Sequence, residues 1–172
     1  MLRALTLAAV LAATPALVSA QATAPNDAQI AHIAYTAGQL DIAAAEQALK
    51  ISKTKAVRDF ASEMIRDHKA VNDKALALVK KLNVTPQDNP TSQSLTKDAN
   101  AKLASYAKLS GAAFDKAYVT NEVAYHKTVN GALSTTLIPN AKNGELKGLL
   151  QTGLTLFTEH QHHAEHVAAG LK

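Results

Sequence analysis

The chain is predicted to be all-α, a ferritin-like four-helix bundle with a helical crossover between the second and third long helices. Alanine, leucine and lysine dominate, and the few prolines and glycines fall mostly between long stretches with apolar periodicity. Within those stretches apolar residues recur in alternating steps of four and three, the spacing of a buried helix face. No segment has the pattern of a β-strand. We expect residues 21–172 to form one such domain.

The first two predicted helices are joined by a tight turn. Asn26 begins the first helix, which runs to about Ile51, because asparagine is a favoured N-cap residue. Residues 52–54 then turn the chain into a second helix that ends near Asn83. Its predicted buried stripe is Val57, Ala61, Met64, His68, Val71, Ala75, Leu78 and Leu82. His68 is the only polar member, and we expect it to be buried.

The crossover and the last two helices follow a loop over residues 85–90, which its prolines and asparagine indicate. A shorter helix is predicted from Thr91 to Leu109, and a third long helix, capped by Ser110, from Gly111 to Leu137. The fourth long helix is predicted from Gly144 to about Leu171. The expected stripes are Asp115, Val119, Glu122, His126, Val129 and Leu133 on the third helix and Leu146, Leu149, Gly153, Leu156, His160, His163 and Val167 on the fourth.

The N-terminal segment, residues 1–20, is predicted to be a signal peptide. It has a basic residue at Arg3, an apolar run from Ala4 to Val18 and small residues before a cleavage site after Ala20 or Ala22. The run is short for a membrane span, which needs about 20 predominantly apolar residues. We therefore expect a periplasmic or otherwise exported protein with no stable membrane span after cleavage.

The composition excludes several classes of function. The chain has no cysteine, so disulfides and thiolate metal sites are excluded. Its 18 Lys and Arg against 14 Asp and Glu are interspersed, which disfavours a nucleic-acid partner. No serine-nucleophile elbow, phosphate loop or zincin motif is found.

The histidines indicate where chemistry would concentrate. His68, His126 and His160 occupy stripe positions on three different helices. Their possible additional partners are Asp41, Asp115, Glu122 and His163. Imidazole with carboxylate suits a divalent metal such as zinc, copper, nickel or iron. The alternative is a buried hydrogen-bonded network that fixes helix register.

Two other kinds of metal site can be compared with the sequence. A ferritin-type di-iron centre needs Glu-x-x-His motifs, but Glu63 is followed at that spacing by Arg66, and Glu159 with His162 falls off the stripe. His166 lies about one turn from both His162 and His163, and either pair could chelate a metal weakly on the surface, or simply form a solvated face.

Several short motifs also resemble a known family. They are Gly38 followed by Asp41, the run from Met64 to His68, Ser110-Gly111 with Phe114-Asp115 and Tyr118, the run from Glu122 to His126, and Phe157 with His160. Together they are similar to the bacterial exported ferritin-like family known as domain of unknown function 4142. The resemblance implies a periplasmic or cell-envelope helical bundle. The chain departs from the family pattern at Asp41, Tyr125 and Thr155, where the family usually has glutamate, aspartate and proline.

These observations predict an exported, soluble binding or envelope-stress accessory protein, with a metal held by histidines as its candidate ligand. A metal-dependent oxidoreductase is the alternative from the class of enzymes. A purely structural or protein-interaction module is a third hypothesis, and the sequence specifies neither a protein partner nor an oligomeric state.

Overall fold

The computed structural model describes residues 24–171, and the predicted signal peptide lies outside them. The helices are α1 (Asp27–Ile51), α2 (Lys55–Lys81), α3 (Pro90–Tyr106), α4 (Gly111–Ala132), α5 (Ile138–Asn140) and α6 (Gly144–Gly170), with a π-helical segment (Leu133–Leu137) between α4 and α5. The described part of the chain contains no strand, and none of its helices is both long and apolar enough to cross a membrane.

Hydrogen bonds between the helix ends define the topology. The Gln87 amide donates to the Ala28 carbonyl, and the Gln47 side chain donates to the Leu103 carbonyl, so α3 runs alongside α1 in the same direction. At the other junctions, Thr54 bonds to Asp115, and the Lys142 amide donates to Asp27 near the start of α1. The predicted all-α bundle, in which α3 forms the helical crossover between two antiparallel pairs, is confirmed.

The predicted helix starts agree with the observed caps to within a residue or two. Asn26 forms a capping box with Gln29, in which each side chain bonds the other residue's backbone amide. Ser110 occupies the N-cap position of α4 as predicted, but its side chain makes no capping hydrogen bond. The second helix ends at Lys81, slightly before the predicted Asn83, which has a positive φ of 53°.

The third long helix differs from its prediction at its C-terminal end. Its α-helical part stops at Ala132, and the chain continues as the π-helical segment before the short helix α5. Pro139 lies just beyond that segment and has no amide hydrogen for the carbonyl one turn earlier, which explains why regular α-helical bonding is not kept here.

The hydrophobic core consists of two separate clusters. The first, here called the aromatic half, lies near the turn between α1 and α2 and is built around Phe60, Met64, Tyr106, Phe114, Tyr118 and Val119. The second, the aliphatic half, lies toward the opposite end and comprises Ile30, Ile33, Leu133, Leu137, Ala141, Leu146, Leu150 and Phe157. A layer of buried polar side chains separates the two halves.

The predicted buried stripe of the last helix is partly wrong. The buried residues of α6 are Leu146, Leu150, Gly153, Phe157, His160, Ala164 and Val167. Leu149, Leu156 and His163 are only half-buried, one position away from the residues that take their places. On α2 the predicted stripe is buried from Val57 to His68, but after His68 the buried residue is Asn72, and the predicted Val71, Ala75 and Leu78 are only half-buried. On α4 the predicted stripe is buried except for Val129, which is half-buried.

Candidate metal centre

Five buried polar residues form the layer between the two halves of the core. They are Asp41 on α1, His68 on α2, Glu122 and His126 on α4, and His160 on α6, each at most 4% exposed. All four long helices therefore contribute to one site. Buried ionisable groups are costly unless they are paired or bind an ion, so this layer needs a physical explanation.

The three histidines converge at the centre of the layer. One ring nitrogen from each of His68, His126 and His160 lies within 4.8 Å of one from each of the others. Phe157 stacks on the His68 ring, with ring centroids 4.7 Å apart and planes 11° apart, and so holds that ring from the aliphatic side. The three imidazoles are thus positioned by packing from three different helices.

Asp41 brings negative charge to the same point. Its Oδ2 lies 2.9 Å from His68 Nε2 and 3.4 Å from His126 Nε2. Burial opposes ionisation, but the neighbouring histidines, His68 first, outweigh it and lower the pKa of Asp41 to about 2. Asp41 is therefore ionised at neutral pH.

Glu122 is the second carboxyl group of the layer. Its side chain shares a group with Asp41 and His126 whose potential ligand atoms lie within 4.8 Å of one another. Burial, and then the charge of Asp41, raises the pKa of Glu122 well above its usual value. Burial and the charge of Asp41 thus favour the protonated form of Glu122, whereas a bound cation would favour its ionised form.

For His126 and His160, a hydrogen bond to one ring nitrogen determines which of the two nitrogens is left free. His126 Nδ1 lies 3.0 Å from the Glu122 carbonyl oxygen, which can only accept, so Nδ1 carries the proton and Nε2 has the lone pair. His160 Nε2 lies 3.1 Å from Asp67 Oδ2. A hydrogen bond from Arg66 is the main cause that lowers the pKa of Asp67, so this carboxylate accepts from Nε2 and leaves Nδ1 of His160 free.

The atoms left free by these bonds are buried and have no partner. Among the described residues, the unpaired atoms of the layer are Asp41 Oδ1 and Oδ2, both ring nitrogens of His68, Glu122 Oε2, His126 Nε2 and His160 Nδ1. Asp41 and His68 are close enough to interact, but they lack the alignment of a hydrogen bond. Most of the potential ligand atoms of the site are thus unsatisfied by protein.

The protonation states also suit cation binding. Burial, followed for His160 by the neighbouring His68, lowers the pKa of His160 to about 4. Burial is likewise the main cause that lowers the pKa of His126. Both imidazoles are therefore neutral at pH 7, which is the form that binds a metal.

A family model supplies the identity of the chain. The model described as Domain of unknown function (DUF4142) matches residues 12–167. The chain belongs to this family. No match was found among curated proteins or among solved structures. Membership in DUF4142 agrees with the motifs described above, most of which lie in or beside the polar layer.

Two of the candidate residues lie apart from the layer of this DUF4142 member. Asp115 lies two helical turns before Glu122 on α4. It accepts a hydrogen bond of 2.5 Å from Thr54, at the N-terminus of α2. His163 is 38% exposed in its side chain and lies 2.7 Å from Glu63 on α2. The structure thus brings together five of the seven candidates, and it places His162 and His166 on the exposed face of α6.

Sequence reasoning missed the carboxylates that face α6 from α2. Glu63, Asp67 and His160 offer ligand atoms within 4.8 Å of one another, at the edge of the layer. Glu63 and Asp67 are four residues apart and therefore share a helix face, a signal that could have identified them beside the predicted His68 stripe.

A groove connects the layer with the surface on the crossover side. It has a volume of about 260 Å³ and runs between α1, α3 and α4, with Asp41 and Glu122 at its inner end. Asp98 and Lys102 of α3 also line it, and both are exposed. The groove therefore leads from the surface beneath α3 toward the two carboxyl groups, which are themselves buried.

Proposed function

We propose that this protein is an exported metal-binding bundle that holds one divalent transition-metal ion in the polar layer. The proposed ligands are His68, His126 Nε2, His160 Nδ1 and a carboxylate oxygen of Asp41. The observation that supports this most is that these atoms are buried, close together and unpaired. Glu122 is available as a further oxygen ligand.

A structural hydrogen-bond network explains the same residues less well. Such a network would align each ring N–H with an acceptor, because an unpaired buried polar atom costs about 1–3 kcal/mol. Here the outer nitrogens of His126 and His160 are bonded, whereas the inner ones are not. A cation would satisfy all the inner atoms at once. Outer bonds from ligating histidines to a carbonyl and a carboxylate are also typical of metal sites.

The donor set indicates the class of metal. Three imidazoles with one carboxylate suit zinc, copper, nickel or iron, whereas magnesium and calcium prefer oxygen ligands. The absence of cysteine from the sequence excludes a thiolate site. The proposed cofactor is therefore a nitrogen-seeking divalent transition metal.

Titration calorimetry with zinc and with copper tests the proposal on untagged protein stripped with a chelator. We expect one saturable ion per chain in the wild type and loss of that binding in a His68→Ala/His126→Ala variant. The matched control is His162→Ala/His166→Ala, which removes two exposed histidines and should keep the tight binding. Loss only in the control would place binding on the surface. No saturable binding in the wild type would favour the structural network.

Export is the second part of the proposal, and the N-terminal sequence supports it. Arg3, the apolar run and the small residues around Ala20 have the order of a cleavable signal peptide. Intact-mass measurement of the protein from the periplasmic fraction should give a chain that begins at Gln21 or Thr23. A full-length mass in the membrane fraction would contradict export by cleavage.

A further inference from the structure

The aliphatic half contains a cavity that the proposed metal site does not use. It has a volume of about 190 Å³ and lies inside the bundle, where all four long helices contribute to its wall. The wall is mainly apolar and includes Ile33, Val71, Leu133, Leu146, Leu150 and Phe157. Asp41, His68 and His126 close its inner end, so the cavity adjoins the polar layer.

The size of the cavity fits a small organic molecule. Native cores contain few voids larger than a water molecule, because packing is close to that of organic crystals. An engineered apolar cavity of about 150 Å³ stays dry and binds benzene. A cavity of about 190 Å³ with such a wall is therefore suited to a ligand of benzene's size or slightly larger.

One wall residue adds a specific polar requirement. Asn72 is 4% exposed, lines the cavity one helical turn after His68, and its amide nitrogen Nδ2 is buried without a partner. Gly38 on α1 leaves room for this amide, since a Cβ at Gly38 would lie 2.6 Å from Asn72 Oδ1. An unpaired buried donor beside an apolar cavity favours a ligand with an acceptor atom.

The π-helical segment forms part of the same wall. Leu133 and Leu137 are buried and line the cavity from the end of α4. Single-turn π-helical segments occur frequently at functional sites. The departure from α-helical geometry in the described chain thus coincides with the cavity and not with the closely packed aromatic half.

We propose that this cavity binds a small, mainly apolar molecule that carries one acceptor oxygen, with the oxygen at Asn72 and the apolar body within the aliphatic half. The inference goes beyond metal binding and does not depend on it, because the wall and the Asn72 donor are present without an ion.

Anisole and ethylbenzene are suitable probes, because they have similar size and shape and only anisole has an acceptor oxygen. We expect calorimetry on chelator-treated protein to show saturable binding of both, with anisole roughly 3- to 10-fold tighter, as one net hydrogen bond allows. An Asn72→Leu variant should bind the two probes equally, because it removes the donor and keeps the branched arrangement of side-chain heavy atoms.

Cavity-filling variants test the location of the ligand. Ala37→Leu on α1 and Ala132→Leu on α4 extend into the cavity from different helices, so one remains informative if the other does not fold. Each should weaken binding of both probes at least roughly tenfold. The matched control is Ala70→Leu, at an exposed position of α2. Circular dichroism verifies folding of every variant.

Three results would overturn the inference. They are no saturable binding of either probe to the wild type, equal binding of the two probes to the wild type, and undiminished binding in a folded filling variant. None of them bears on the metal site, since the titrations are done without metal and keep all proposed ligands.

Discussion

The aromatic and aliphatic halves of the bundle are stabilised in different ways. In the aromatic half, Phe60, Phe114 and Tyr118 are completely buried, and Phe114 stacks on Tyr118 at 6.1 Å between ring centroids. In the aliphatic half, part of the interior is the cavity. Tight packing therefore concentrates at one end, while the other keeps space beside the polar layer.

Helix capping is distributed in the opposite way. At the aliphatic end, α1, α3 and α6 begin at Asn26, Asn89 and Asn143, and each of these side chains accepts a backbone amide hydrogen. At the aromatic end, Thr54 and Ser110 precede α2 and α4 without a side-chain capping bond. Local capping thus stabilises the end where packing is looser, and a cavity beside a buried site is compatible with a stable fold.

The largest expected effect is on stability and tests the packing contrast. Phe114→Ala should reduce the free energy of unfolding by about 4 kcal/mol, because it removes a fully buried ring. Leu150→Ala should cost only about 2 kcal/mol, since Leu150 borders the cavity and has fewer packing partners to lose. Urea denaturation measures both. Equal costs would show that the aliphatic half is as closely packed as the aromatic half.

The next effect concerns the pH dependence of the layer between the halves. The pKa of His160 is lowered to about 4, so its folded form resists protonation. His160 therefore contributes stability above its unfolded pKa near 6.5, and this contribution is lost as pH falls from about 6.5 toward 4. The loss in metal-free protein is at most about 3 kcal/mol. The titratable groups that face the His160 ring are His68, His126, Asp41 and Asp67.

Urea denaturation across pH 7 to 4 measures this loss. His160→Gln should flatten the stability profile in that range, whereas His162→Gln, at an exposed position on the same helix, should keep the wild-type slope. An unchanged slope in the His160 variant would assign the acid sensitivity to other groups.

A smaller effect is expected at the outer bond of the metal centre. Asp67→Asn weakens the hydrogen bond that orients His160 and should lower metal affinity roughly 10- to 100-fold. Competition with a chromophoric chelator measures the affinity. Asp73→Asn is the matched control, because Asp73 is exposed on the same helix. An Asp67 variant with wild-type affinity would mean that His160 does not depend on this bond.

The smallest effect tests the contrast in capping. Asn143→Ala should cost about 1 kcal/mol of stability, because the Asn143 side chain accepts two amide hydrogens at the start of α6. Ser110→Ala should change stability by only a few tenths of a kcal/mol, since the Ser110 side chain makes no capping bond. The comparison fails if the serine variant loses as much stability as the asparagine variant.

The fold could be predicted because the apolar periodicity and the residues at the helix starts indicated the same succession of helices within the described residues. Which face of α6 is buried could not be predicted fully. The predicted and observed stripes share Leu146, Gly153, His160 and Val167 but differ between these positions. Between these positions the sequence offers neighbouring alternatives, such as Leu156 beside Phe157 and His163 beside Ala164, which spacing alone does not separate. The misplacement of His163 follows from that ambiguity.

The site was predictable where it coincided with the buried stripes. His68, His126 and Glu122 occupy such positions, and the structure brings them together. Asp115 shares the stripe of Glu122, but the sequence does not show which level of the bundle a stripe residue reaches. Asp67 lies off the stripe, and its role depends on the angle at which α6 packs against α2. The cavity depends on packing volumes, which periodicity does not describe.

The π-helical segment also bears on how this chain tolerates insertions and deletions. Each residue of a regular helix advances the chain by about 100° of rotation, so deleting one residue would turn everything downstream by that amount. Residues 134–136 are exposed, and the π-helical segment holds one residue more than α-helical turns of the same span need, so the segment should absorb the deletion of one of them. Leu133 and Leu137 would then keep their places in the wall. A single-codon deletion here should therefore disturb the interior and the polar layer less than the same deletion inside α2 or α4.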